Sequence, residues 1–201
     1  MARQGNLFAG AAGQGGGATP QAELELSAAQ LQGWQQRLAA FQAPRFVGGA
    51  AGEGQASLFG PASDDPEALT AALNPLQLQP QPLSFWRWPE APQQGAALYF
   101  VIDRPPALDQ PLLLYVGETG AADQRWKGEH DCKRYLAAYG EALSRTGLAG
   151  RPSIRFWLDV PAEVKPRRAL EQALIRRWQP PFNKETRARW ATPFTAELEL
   201  R

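Results

Sequence analysis

Six side chains in the second half of this chain have the types and order needed to handle a phosphodiester. Tyr99 and Tyr115 supply phenols, Arg125 a guanidinium, His130 the only imidazole, Glu171 a carboxylate and Asn183 an amide. Hydrolysis of such a bond needs a deprotonated water, in-line attack, and cover for the charge on the phosphoryl and leaving oxygens. Arg125 offers a planar fork of donors that fits a phosphate better than lysine would. Glu171 is a hard oxygen ligand suited to Mg²⁺ or Mn²⁺, and Mg²⁺ commonly takes only one or two carboxylates and keeps its waters. The ion would act as a Lewis acid on the phosphate and leaving oxygen. Either tyrosine would serve as general base if nearby positive charge lowered its pKa. Asn183 would hold the geometry or a phosphate oxygen.

These residues need a scaffold, and the sequence outlines one. Ala97–Ile102 and Leu112–Val116 are apolar runs with aromatic and β-branched members, separated by prolines, which reads as two strands in an irregular hairpin. Asp123–Leu143 reads as a helix with Trp126, Leu136, Tyr139 and Leu143 inward, and Gly147 to Pro152 breaks it. Ile154, Phe156 and Leu158 alternate with Arg155 and Trp157, a third strand. A last helix opens near Pro166, carries Leu170, Ala173, Leu174 and Trp178 on one face, and ends at Pro180-Pro181. The expected class is α+β: a small three-stranded antiparallel sheet flanked by helices.

The rest of the chain bounds the possibilities. Of 201 residues, 44% are hydrophobic, and the overall charge is +1. Residues 1–95 hold 4 Lys and Arg against 7 Asp and Glu, whereas residues 96–201 hold 17 against 13, so the second part is mildly basic. No apolar run approaches the ~20 residues of a spanning helix. Met1 to Asn6 lack the layout of a secretory signal, so a cytoplasmic, nucleoid-associated protein with no membrane contact is expected. The lone Cys132 excludes an internal disulfide or a multi-thiolate metal site. The expected organisation is a Gly/Ala/Gln-rich disordered leader over 1–19, an amphipathic helix over 20–42, and a linker with short helical pieces over 43–95. A catalytic domain over 96–190 and a tail over 191–201 follow.

With the residues in view, the segment Ala97-Leu98-Tyr99 followed by Leu114-Tyr115-Val116-Gly117 resembles the paired motifs that name the GIY-YIG nucleases. The order of elements resembles that family too. Arg125, ten positions after Tyr115, falls where the family carries its phosphate-facing arginine. Glu171 falls where it carries a metal-binding glutamate, and Pro181-Phe182-Asn183 is similar to its closing pattern. The resemblance covers residues 96–185 and implies a metal-dependent DNA endonuclease of repair or branched-DNA processing. Gly117 is then the motif glycine, and Lys127, Lys133 and Arg134 are candidate DNA contacts.

The chain also departs from the pattern. Ala97 replaces a glycine, the interval between the tyrosines is long, and Glu118 stands where some members carry lysine. Glu129 occupies the position four after the arginine that often holds histidine or tyrosine. His130, one residue later, would lie about 140° from Arg125 on a helix. An inactive DNA-binding adaptor on the same scaffold is the competing expectation. Ordinary strand tyrosines, a solvated Glu171 and core tryptophans are the plainer accounts of single residues. Two further peptides, Gln4-Gly5-Asn6-Leu7-Phe8 and Gln55-Ala56-Ser57-Leu58-Phe59, are similar to the Gln-x-x-Leu-Phe peptides that dock on the bacterial sliding clamp.

Overall fold

Strand β2 (Ala97–Asp103) is buried along its whole length, and its side chains alternate between two apolar clusters. Ala97, Tyr99 and Val101 join one cluster; Leu98, Phe100 and Ile102 join the other. A strand with no polar face belongs in the interior of a sheet covered on both sides. β2 pairs antiparallel with β3 (Leu112–Thr119) and with β4 (Ser153–Trp157). The two-residue β1 (Gln81–Pro82) adds to β4, which gives the order β1-β4-β2-β3. The computed structural model describes residues 26–48, 65–87, 93–128 and 130–194. It is an α+β protein with an antiparallel sheet, but the sheet has four strands where three were expected. β1 escaped the sequence reading because it is short and ends in proline, a residue that only a sheet edge tolerates.

The helices cover both faces. α1 (Ala28–Gly48) places Leu31, Trp34 and Leu38 against the first cluster, beside Tyr135, Tyr139 and Leu143 of α4 (Asp131–Thr146). α5 (Val164–Trp178) places Leu170, Leu174, Ile175 and Trp178 on the second face, where α2 (Pro66–Ala71) packs against it. Asp65 caps α2, accepting from Glu67 N–H at 3.1 Å, and Pro66 follows as expected for a first turn. A buried chain of hydrogen bonds runs from Gln35 Nε2 to the Tyr139 hydroxyl (2.7 Å) and on to Asp103 Oδ2 (2.7 Å). It ties α1, α4 and β2 together.

Three differences from the sequence expectation have physical causes. α1 runs through Pro44 to Gly48 where a linker was expected from residue 43. Tertiary contacts outweigh the lost helical hydrogen bond: Phe46 packs on Trp178 with ring centroids 4.5 Å apart, and Asn74 Nδ2 donates to Phe46 O at 2.9 Å. The expected helix from Asp123 is two helices, α3 (Ala122–Arg125) and α4, because no apolar residue between Trp126 and Cys132 supports a turn there. Phe85, also placed in the linker by sequence, is fully buried against Trp126 and Phe156. Residues 1–19 and both Gln-x-x-Leu-Phe peptides lie outside the described residues. No helix among the described residues is long and apolar enough to cross a membrane.

α1 starts on one face of the sheet and ends on the other, crossing the open edge of β3 at Gln42. There Leu113 N–H donates to Gln42 Oε1 at 2.8 Å, while Gln42 Nε2 donates to Leu113 O and Trp178 O at 3.0 and 3.1 Å. Gln42→Ala leaves three buried backbone groups unpaired. Urea unfolding should show a loss of about 2–4 kcal/mol at unchanged slope, against about 0.5 kcal/mol or less for the exposed Gln36→Ala. A loss as small as the control's would mean that water replaces the amide.

Candidate active site

The site residues gather at the middle and end of β3. Between Val101 and Ile102 the register with β3 shifts, so that Leu114 is an extra residue. This bulge turns both Leu114 and Tyr115 toward the first cluster and brings Tyr115 to the same face as Tyr99, ring centroids 5.8 Å apart. Gly117 lies opposite Tyr99 in the ladder, and the Tyr99 ring folds over it. A Cβ at position 117 would overlap that ring and sit 2.7 Å from Tyr115 Cε1. Glycine is needed here for close approach, with its φ in the ordinary range.

The two phenols have different situations. Tyr99 is 0% exposed, and its hydroxyl accepts from Arg125 Nε at 3.1 Å. Burial, with the neighbouring Tyr115, holds its pKa well above the usual value despite the arginine. Tyr99 therefore positions Arg125 and has no access to water. Tyr115 is partly exposed; burial first, then Cys132 and Glu171, pushes it up to about 12. The expectation that positive charge would make either tyrosine a ready base is overturned, because desolvation exceeds the pull of Arg125.

His130 is not on a helix. It is the extended residue (φ −159°, ψ 158°) preceding α4, so the helical angle to Arg125 does not apply. Its ring stands edge-on to Trp126 at 4.9 Å, and neither ring nitrogen has a hydrogen-bond partner. Burial, then Arg125 and Lys133, pushes its pKa down to about 4, leaving a neutral imidazole at pH 7. Lys127 is exposed in the turn before it, Lys133 donates to Gly128 O at 2.7 Å, and Arg134 lies 3.9 Å from Asp131. These three cations share one short stretch beside Arg125.

Glu171 projects from α5 to the β3 edge, where its Oε1 accepts from Glu118 N–H at 3.0 Å. Burial first, then repulsion from the Glu118 carboxylate, pushes it up to about 7. Glu118 is itself held by Arg167 (2.8 Å) and Arg168 (3.2 Å). Arg167 is 2% exposed and also donates to the carbonyls of Pro161 and Ala162, locking the loop before α5. Asn183 is buried, and both amide atoms bond one residue of β3. Its Oδ1 accepts from Val116 N–H (3.0 Å) and its Nδ2 donates to Val116 O (2.8 Å), so it holds the strand beside Tyr115. Sequence reasoning missed Gln42 as an edge cap and Arg167 as the holder of Glu118. A glutamine in the apolar stripe of α1 was the available signal for the first.

The structure thus brings Tyr99, Tyr115, Gly117, Arg125 and Glu171 together, sets His130 beside Arg125, and gives Asn183 a supporting part. Among the described residues no group of three or more His, Cys, Asp or Glu side chains converges as a metal cluster. The donor for a cation is Glu171, whose Oε2 makes no hydrogen bond among the described residues; both oxygens of the neighbouring Glu118 are taken by Arg167 and Arg168. One or two carboxylates plus waters suffice for Mg²⁺, so the residues present fit that ion. No protein-family model, curated protein or solved structure matches this chain.

Glu171 binds a proton more tightly folded (about 7) than its ordinary value of 4.5. It therefore draws stability from the fold as pH rises through that interval, and the effect levels off above it. Glu171→Gln keeps the acceptor for Glu118 N–H and removes the titration. Between pH 4.5 and 7.5 the variant should gain about 1–2 kcal/mol on wild type in chemical denaturation, a value reduced for partial exposure. A difference independent of pH would contradict this.

Proposed function

We propose that this chain is a metal-dependent DNA endonuclease of the GIY-YIG type, acting in repair or branched-DNA processing. The observation that carries the reading is the meeting of Glu171, with its raised proton affinity, and the Tyr115–Arg125 pair at one end of β3. A buried carboxyl next to a second carboxylate is a group whose charge a divalent cation would stabilise. Mg²⁺ or Mn²⁺ bound there would supply a Lewis acid for the phosphoryl and leaving oxygens.

In this reading Arg125, braced by Tyr99, holds a phosphate oxygen through its remaining donors. Tyr115 orients the attacking water. His130 is the neutral base near Arg125; burial chiefly depresses its pKa, and a phosphate bound at Arg125 offsets the smaller part that comes from charge. Glu171 holds the ion, and Arg167 and Arg168 keep Glu118 from closing on it. Lys127, Lys133 and Arg134 contact the DNA backbone on the flank. A nucleoid location follows from such a substrate.

Purified protein with flap, fork, junction and supercoiled DNA in Mg²⁺ or Mn²⁺ tests this. Glu171→Ala and Arg125→Ala should each lower the cleavage rate at least about 100-fold, and His130→Gln should do so with loss of the acidic limb of the pH profile. The burial of Tyr99 favours a second reading, a DNA-binding adaptor without turnover. Binding by wild type and Glu171→Ala alike, with no cleavage of any substrate, would establish that instead.

The two Gln-x-x-Leu-Phe peptides add a partner proposal: each would seat its Leu-Phe pair in the apolar pocket of a sliding clamp, with glutamine fixing the backbone. Pull-down with purified clamp should fail for the Phe8→Ala/Phe59→Ala double variant. Equal retention would reject clamp binding.

A further inference from the structure

About 10–17 Å from Glu171, measured along α5 or back along β3, three arginines converge where three helices end. Arg45 is in the last turn of α1, Arg177 in the last turn of α5, and Arg189 in α6 (Arg187–Trp190). The Phe41 ring organises two of them: the Arg45 guanidinium carbon lies 3.7 Å from its centroid and that of Arg189 lies 4.5 Å away. Phe41 is fixed in turn by Trp190, whose ring centroid is 5.5 Å distant and whose Nε1 donates to Gln179 O at 2.6 Å.

Helix capping explains part of this. Arg45 donates to Phe41 O and, at 2.7 Å, to Arg177 O; Arg177 donates to Ala71 O at 2.6 Å, and such cations suit helix C-termini. Capping does not explain Arg189, which is exposed and whose guanidinium makes no hydrogen bond or ion pair among the described residues. Nor does it explain why the Arg45 guanidinium is held near those of Arg177 and Arg189 with no carboxylate among the described residues paired to any of them. Burial, then Arg177 and Arg189, lowers the pKa of Arg45. By contrast, Arg176 is paired with Glu67, and Arg167 and Arg168 with Glu118.

We infer that the Arg45–Arg177–Arg189 cluster is a second nucleic-acid contact, taking the phosphate backbone three to five base pairs, ~10–17 Å, from the bond at Glu171. Flat guanidiniums held on an aromatic ring lose little freedom when they receive an oxyanion, and a phosphate relieves their repulsion. The site reads no sequence; it fixes the path of the duplex across the edge of β3. This rests on the nuclease reading for the identity of the polyanion and adds a footprint to it.

The test is fluorescence anisotropy of a labelled duplex of about 20 base pairs in Ca²⁺, from about 50 to 200 mM KCl. Wild type is compared with Arg189→Gln, Arg189→Glu and Arg45→Gln/Arg189→Gln, each checked by thermal melting. Arg189 is exposed, so its single variants keep the fold. The expected result is roughly 5–10-fold weaker binding for the double variant, a log–log salt slope shallower by about 1–2, and a larger loss for Arg189→Glu than for Arg189→Gln. Cleavage should show a raised KM and unchanged kcat. Binding and slope equal to wild type in all three overturn the inference and leave the nuclease reading intact. A reduced slope in a protein that never cleaves leaves the surface standing and removes the nuclease reading. No DNA binding by wild type overturns both.

Discussion

The open edge of β3 is the constraint around which the molecule is organised. A strand covered on both faces still presents a row of backbone donors and acceptors along its unpaired side, and leaving them buried without partners is costly. Here protein groups replace the missing strand. Gln42 takes both groups of Leu113, Phe182 N–H donates to Leu114 O, Asn183 takes both groups of Val116, and Glu171 accepts from Glu118 N–H. The partners come from α1, from the segment after α5 and from α5 itself. Sealing one edge therefore fixes how those elements sit on the sheet.

The candidate site is the far end of that seal. Glu171 spends one oxygen on the edge, and the other makes no hydrogen bond among the described residues. The same enclosure that satisfies the backbone withholds solvent from the ionisable groups: Tyr115 and Glu171 are pushed up and His130 is pushed down, each chiefly by burial. At neutral pH such surroundings keep Tyr115 protonated, Glu171 about half protonated and His130 neutral. The bulge at Leu114 and the bare Cα of Gly117 are the backbone devices that allow it. One turns Tyr115 to the face of Tyr99, and the other gives the Tyr99 ring room to reach Arg125.

Local signals carried much of this into the sequence. The three long strands, α4 after its start and α5 follow from apolar periodicity, prolines and glycines. Tyr99, Tyr115, Arg125 and Glu171, named from their order in the sequence, lie close together in the fold because each is on or next to one of those elements. What stayed hidden depends on partners distant in sequence. Nothing local says that Pro44 sits inside a helix, since Phe46, Trp178 and Asn74 enforce it. Nothing local ranks the two tyrosines, because their burial depends on Trp126 and Phe156. The gap between α3 and α4 was visible as a missing apolar residue, and with it the true setting of His130. The fourth strand was too short, and too rich in proline, to declare itself.

The hydrogen bonds that close the β3 edge also impose an order of events on a chain made from its N-terminus. Leu113 and Gln42 are 71 residues apart, Val116 and Asn183 are 67 apart, and Gln42 and Trp178 are 136 apart. During synthesis α1 and the β2–β3 hairpin emerge well before α5 and Asn183, and domains generally begin folding from that end. Until the last quarter of the chain is free, β3 is an apolar strand with an uncovered side, open to pairing with another nascent chain. Among the described edge partners Gln42 alone precedes β3 in the chain, so it is the one already synthesised when that strand emerges.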